Sequence, residues 1–216
     1  GSGNADIDCT SGSCTATFNI DKAIDNDLYL YYELTNYFQN NIKYVSSIPW
    51  DQLTGDVTQT ESELETTCQP LTKNGTDLLN PCGLVANSFF TDVYSLTSAT
   101  STINGVSNPS TTLNEDNLVF TSPDLFQQPD GFAYVKVDSC SDPCTDMPCC
   151  SDSSCDCYTD SSSSQKYLYY YPNDDTTAYL YEMYPDHISP IKGVTDEHFK
   201  VWMNVAALPD FRKLYA

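Results

Sequence analysis

From Leu28 to Leu34 the chain alternates with period two. Leu28, Leu30, Tyr32 and Leu34 fall on one face, Tyr29 and Tyr31 on the other. That pattern predicts a strand with an aliphatic inner face. The alternation breaks at residues 35–41, which read as a turn or a short helical piece. Residues 46–67 are polar and carry Pro49 and Gly55, so they read as a loop. Leu84 to Leu96 is the next apolar run, and 97–117 is rich in Ser, Thr and Asn with no period. Short strands are expected at Leu118–Phe120 and Phe132–Val137, the latter with Ala133, Val135 and Val137 on one face. Tyr167–Tyr171 and Thr177–Tyr184 alternate again across Pro172-Asn173-Asp174-Asp175, which predicts a hairpin. A helix follows. Thr195 is its expected cap, Asp196 and Glu197 suit the positive end of its dipole, and Phe199, Trp202, Val205 and Ala206 recur at helical spacing until Pro209. No internal repeat is present.

Thirty acidic residues face nine basic ones in 216, a net charge of −21. Such a chain repels polyanions and has no basic stripe to neutralise phosphates, so nucleic acid is excluded as a partner. The same charge excludes docking on anionic lipid through basic residues. Twelve per cent aromatic residues, with 16 Tyr, is too sticky for a solvated coil. The length is enough to bury a core within one domain spanning 1–216. No run of 18 apolar residues occurs, so a membrane span is not expected within the segment. The first residue is Gly1 and no signal-type stretch follows, so targeting segments are expected to lie outside it.

Ten cysteines change the picture: Cys9, Cys14, Cys68, Cys82, Cys140, Cys144, Cys149, Cys150, Cys155 and Cys157. An even number in tight local groups fits disulfides in an oxidising compartment. Metal is the rival reading, but Cys144-x4-Cys149 and Cys155-x-Cys157 do not make paired C-x2-C knuckles, and His187 and His198 lie well downstream. Cys9 and Cys14 stand close enough to close a short loop, and Cys68 and Cys82 bracket a turn-rich stretch. Six of the cysteines fall in residues 138–165, a polar, acidic block with almost nothing to bury, which holds a shape only by crosslinks. Its fifteen possible pairings are not resolved by sequence. Asn74-Gly75-Thr76 is a glycosylation sequon, whereas Asn108-Pro109-Ser110 is blocked by its proline.

Catalytic chemistry finds no footing. There is no G-x-S-x-G, H-E-x-x-H or phosphate-binding loop. Asp196-Glu197-His198 groups two acids with an imidazole, yet a helix start explains both carboxylates. His187 reads as a surface-turn residue. Asp174-Asp175 and Glu115-Asp116 lie in expected turns, and neither matches an EF-hand loop. No catalytic residue, cofactor or metal site is therefore assigned. The tyrosine-rich strands admit two readings: a carbohydrate- or protein-binding face, or an aromatic core and sheet surface of the kind strands favour.

Three stretches carry a sharper signal: Tyr31 to Ser47 (YYELTNYFQNNIKYVSS), Pro81 to Asp92 (PCGLVANSFFTD) and Phe199 to Tyr215 (FKVWMNVAALPDFRKLY). In this order they resemble the cell division control protein 50 family, also called the ligand-effect modulator family, the β-subunits of type-IV P-type ATPases that flip lipids. The resemblance implies a mainly β, antiparallel, sandwich-like ectodomain with a few short helices, stapled by disulfides, lying on the exoplasmic face of a membrane in the secretory lumen or at the cell surface. Both membrane spans would lie outside this segment. It also implies a non-catalytic accessory subunit whose partner is the ATPase α-subunit, with Cys68 and Cys82 at the positions of a family disulfide. Cys9 and Cys14 match the cysteine-rich stretch before the first motif, with the choice of partner open. The block at 138–165 departs from the family pattern and reads as an insertion; self-assembly through it, as an extracellular structural or adhesive protein, is the alternative. Within the motifs, Asn36, Gln39, Asn40, Asn87 and Asp92 are candidates for hydrogen bonds that fix loops. Trp202 and Phe199 are expected to anchor the last helix, and Gly83 to adopt a backbone that other residues resist.

Overall fold

The structure is a computed structural model and describes residues 6–10, 12–17, 29–95, 101–103, 106–108, 125–141, 147 and 155–215. The chain divides into two compact units, Gly1–Leu30 and Tyr31–Ala216. The first holds an antiparallel hairpin of β1 (Asp6–Thr10) and β2 (Ser13–Thr17), in which Cys9 faces Cys14 and is bonded to it.

The second unit is mainly β with short helices, in several small sheets. β3 (Tyr31–Leu34) pairs antiparallel with β12 (Phe211–Leu214), so the start of this unit lies against the end of the described chain. The alternation seen in sequence holds: Tyr32 is buried, Leu34 and Leu30 are half-buried, and Tyr29 and Tyr31 are exposed. Leu28 lies outside the described residues. β4 (Lys73–Asn74) and β5 (Asp77–Asn80) make a hairpin around Gly75-Thr76, and Gly75 adopts the positive φ that the first position of a type II′ turn requires. β6 (Ser101–Ile103) and β7 (Val106–Asn108) form a further hairpin inside the stretch that shows no period. β8 (Ala133–Val137), β10 (Lys166–Tyr170) and β9 (Asp156–Thr159) form a sheet with β10 central. The expected strand at Leu118–Phe120 lies outside the described residues.

Four expectations are corrected. Residues 46–67 are not a loop: they hold α2 (Trp50–Leu53) and most of α3 (Glu61–Cys68), after α1 (Ile42–Val45). α3 starts with a capping box in which Thr60 and Glu63 satisfy each other. It buries only Leu64 and Cys68, four residues apart, too few apolar positions to show a period. The hairpin expected over 167–184 does not form either. β10 pairs with β8 and β9, while β11 (Thr177–Tyr179) runs parallel to β5, and α4 (Leu180–Met183) follows directly. Residues 172–176 therefore carry the chain between two sheets. The last helix, α5 (Glu197–Met203), is capped by Asp196 rather than Thr195: its Oδ1 accepts from the backbone N–H of His198 and Phe199. The helix ends at Met203, well before Pro209, because the chain must turn back toward β12. Finally, the block at 138–165 is more than a crosslinked loop, since β9 within it extends the β10 sheet.

The main core gathers Leu53, Val85, Ala86, Phe89, Ile188, Phe199, Trp202 and Met203. A second cluster surrounds the bonded pair Cys68–Cys82 with Leu64, Leu79 and Ala178. A third is built of Tyr169, Tyr171 and Tyr179, whose rings contact edge to face or at a tilt. Burial first, and then the neighbouring Tyr179 and Tyr169, push the Tyr171 hydroxyl far above its ordinary pKa, and that hydroxyl donates 2.7 Å to the Pro190 carbonyl.

Candidate docking surface

The three motifs meet. The loop after β3 lies alongside the loop before β12. Tyr37 N–H donates to the Pro209 carbonyl (3.0 Å), and Asn36 N–H to Asp210 Oδ1 (2.8 Å). Gln39, fully buried, accepts the Ala206 N–H on Oε1 (2.8 Å), and Asn40 Nδ2 donates to the Ala207 carbonyl (3.1 Å). Asn36 has φ +58, a region that asparagine tolerates better than most residues. The second motif joins through Trp202, whose indole N–H donates 2.7 Å to the Val85 carbonyl. Asn87 Nδ2 donates to the carbonyls of Pro81 and Gly83. Gly83 has φ +90, and a Cβ there would collide with the Ser47 carbonyl oxygen of the first motif. Of the motif polar residues, Asn36, Gln39, Asn40 and Asn87 thus tie loops, whereas Asp92 stays exposed.

These ties hold apolar side chains out in water. Phe38 and Leu208 lie between the Tyr37–Pro209 and Asn40–Ala207 ties on the facing loops, 55% and 66% exposed. Ile42, two residues past Asn40 on α1, is 79% exposed. A separate shallow groove of about 360 Å³ is lined by Trp50, Leu125, Phe126, Lys200, Met203, Asn204 and Val205. Isolated exposed apolar residues are ordinary, but several held close to loops that are hydrogen-bonded into one geometry make this face a candidate for docking.

Sequence reasoning missed three residues that build this framework. Gln52 is buried; it donates to the Leu79 carbonyl and accepts the Cys82 N–H. Ser47 is buried; its hydroxyl donates to the Cys68 carbonyl and accepts the Leu84 N–H. Lys213, only 6% exposed, donates from Nζ to the carbonyls of Val201, Trp202 and Asn204, closing the C-terminal end of α5. The alternation of β12 was the signal available, since it puts Lys213 on the side of the strand opposite Arg212.

Burial pulls the Lys213 ammonium from its ordinary 10.5 down to about 8. Between those values the unfolded chain keeps a proton that the folded chain has released. This group therefore adds stability as pH rises through that window, and none of the gain is present below it. Lys213→Met removes both the desolvation cost of the buried ammonium and the donor of these carbonyls, two effects that oppose each other at pH 7. The variant is expected to flatten the dependence between pH 8 and 10. Urea unfolding of both proteins across that range checks this; an unchanged slope rules it out.

The remaining candidates are dispersed. Cys140 is bonded to Cys157, linking the end of β8 to β9; Cys155 is also disulfide-bonded, and Cys144, Cys149 and Cys150 lie outside the described residues. Among the described residues no cysteine is free and no group of three His, Cys, Asp or Glu is placed to hold a metal ion. Asn74 is exposed at the β4–β5 turn. His187 and His198 line one cleft of about 210 Å³ with Asp92 and Asp186; His198 Nε2 contacts the Tyr215 carbonyl at 3.0 Å and its ring stacks on that tyrosine. Glu115-Asp116 lies outside the described residues. No described helix is long and apolar enough to cross a membrane.

Residues 3–216 match the model of the LEM3 (ligand-effect modulator 3) family / CDC50 family. The chain belongs to this family. Among its relatives is the phospholipid-transporting ATPase accessory subunit CRF1 of Saccharomyces cerevisiae, 28% identical over 202 residues, which cover 94% of this chain and 42% of the relative. The phospholipid-transporting ATPase accessory subunit CDC50 of Chaetomium thermophilum is 30% identical over 205 residues, 94% of this chain and 42% of the relative. Cell cycle control protein 50A of Mus musculus is 27% identical over 207 residues, 95% of this chain and 49% of the relative. The chain therefore spans less than half the length of these three. In this CDC50/LEM3 chain, residues far apart in sequence converge on the surface carrying Phe38 and Leu208.

Proposed function

We propose that this chain is the exoplasmic part of a non-catalytic accessory subunit that binds a type-IV P-type, phospholipid-transporting ATPase and supports its folding and export. Relatives named as accessory subunits of such ATPases support the partner. The observation that carries the reading is the exposed trio of Phe38 and Leu208, on loops that the family-like motifs tie together, and Ile42 at the start of α1. Bonded cysteines and the exposed Asn74 sequon support an oxidising, glycosylating compartment. On this reading ATP chemistry resides in the partner, and the subunit supplies a preformed apolar surface.

The test is co-purification of the full-length protein with an ATPase of this class from its own cells. Wild type is expected to bring the ATPase down. Phe38→Asp with Leu208→Asp is expected to lose at least tenfold of it while melting unchanged, since central apolar anchors dominate interfaces and neither side chain is buried. Wild type without an ATPase would overturn the function, and full recovery by the double variant would overturn the surface. Intact mass before and after glycosidase treatment of the same material should locate a glycan on Asn74, and an unmodified Asn74 would refute that site.

A further inference from the structure

A second cleft, of about 340 Å³, opens on the β9–β10 edge and is separate from the Phe38–Leu208 rim. Tyr158 of β9 and Tyr167 of β10 are cross-strand partners, so their side chains rise from the same face of the sheet. Their ring centroids are 6.3 Å apart and their planes 30° apart, so the rings stack on one another, and Lys136 lies over the Tyr167 ring. Opposite them the segment before α5 contributes His187, Lys192 and Asp196.

The polar groups of this cleft are of both kinds. Within the described residues the Asp196 side chain accepts its helix-capping bonds on Oδ1, which leaves Oδ2 as an acceptor at the cleft. His187, Lys192 and Tyr167 bring an imidazole, an ammonium and a hydroxyl to the lining. Asp160, also on the wall, is already committed: it accepts from Ser162 and Ser163, and these bonds hold its carboxyl below the ordinary range. It fixes the turn after β9 and so the position of Tyr158.

Charge narrows the ligand. Two carboxylates, Asp160 and Asp196, disfavour an anion such as phosphate. Lys192 in the same cleft, with Lys136 5.9 Å from the Tyr167 ring centroid, disfavours a quaternary ammonium, which would otherwise suit tyrosine faces. A neutral ligand with a flat C–H face and hydroxyls at its rim meets every group present. The C–H face packs on the electron-rich rings, and each hydroxyl both donates and accepts. The volume lies at the small end of the range for ligand sites, room for one or two sugar rings. We propose that this cleft binds a neutral carbohydrate, with Tyr158 and Tyr167 as the stacking wall and His187, Lys192 and Asp196 as the hydroxyl contacts. This is a second site beside the proposed ATPase surface, and it does not depend on that reading.

The experiment uses the full-length protein and the methyl glycosides of glucose, galactose, mannose and N-acetylglucosamine, with choline and inorganic phosphate as the charged alternatives. Saturation-transfer NMR and titration give the readout. At least one glycoside is expected to bind at about millimolar Kd, as small rigid ligands do. Tyr167→Ala should weaken it about tenfold and Lys192→Ala a few-fold, both with unchanged melting. Tyr167→Phe, which keeps the ring, should retain most of the affinity if stacking dominates. Binding of no glycoside, binding indifferent to Tyr167→Ala, or preferential binding of choline or phosphate at these residues would each overturn the proposal. Co-purification with the ATPase is measured separately, so failure of either idea is visible without the other.

Discussion

Trp202→Ala is expected to destabilise the second unit by about 3–5 kcal/mol, the range for deleting a buried large aromatic. Trp202 is 1% exposed and touches all three motifs. Its ring meets Tyr37 of the first at 5.8 Å and Phe90 of the second at 6.4 Å, and its N–H serves Val85. Removing it opens a cavity and strands a buried carbonyl, which adds to the loss. Against a total stability of about 5–15 kcal/mol, such a variant stands at the edge of folding. Trp202→Phe separates the contributions: it keeps most of the apolar contact and should lose about 1–3 kcal/mol through the missing hydrogen bond. Urea unfolding followed by circular dichroism measures both. A loss under about 1 kcal/mol for the alanine variant would mean that the motifs are held together elsewhere.

Removing Cys68 and Cys82 together is the second large effect. Both are fully buried, and they close a loop with a sequence separation of 14. The chain-entropy model puts such a crosslink at about 3 kcal/mol, and loss of native disulfides in secreted domains ranges over about 2–5 kcal/mol. For a unit of this size that is a fall in melting temperature of roughly 6–12 °C. The double alanine variant should show it. Cys9→Ala with Cys14→Ala should leave the melting of the second unit within about 1 °C, since that pair closes a short exposed hairpin in the first unit. Equal shifts from the two double variants would contradict this division of labour.

The Lys213 and docking-surface predictions bear on the same framework from different sides. Lys213 ties β12 to the end of α5, and β12 pairs with β3, which leads into the loop carrying Phe38. Changing Lys213 should therefore bear on the surface as well as the fold, whereas Phe38 and Leu208 can be changed without touching the core.

What was legible in sequence was local. The period of Leu30, Tyr32 and Leu34 marked β3, and the spacing of Phe199 and Trp202 marked α5, because side-chain direction along one element follows from its own geometry. The helix cap was misplaced by one residue because Thr195 and Asp196 are both good caps, and only the backbone decides which one is extended. α3 was missed because its stability comes from its cap and from burying just two side chains.

The residues of this chain alone placed it in its family, marked its last helix and predicted a mainly β domain. Tertiary structure decided the rest. It set β11 parallel to β5 instead of folding it back on β10, turned Gln39, Gln52 and Ser47 into ties between distant loops, buried Lys213, and left Phe38 and Leu208 in water. The reason is physical. A pattern of apolar positions tells which side of an element avoids water, but not which remote segment covers it, and buried polar groups take their partners from whatever that covering segment brings.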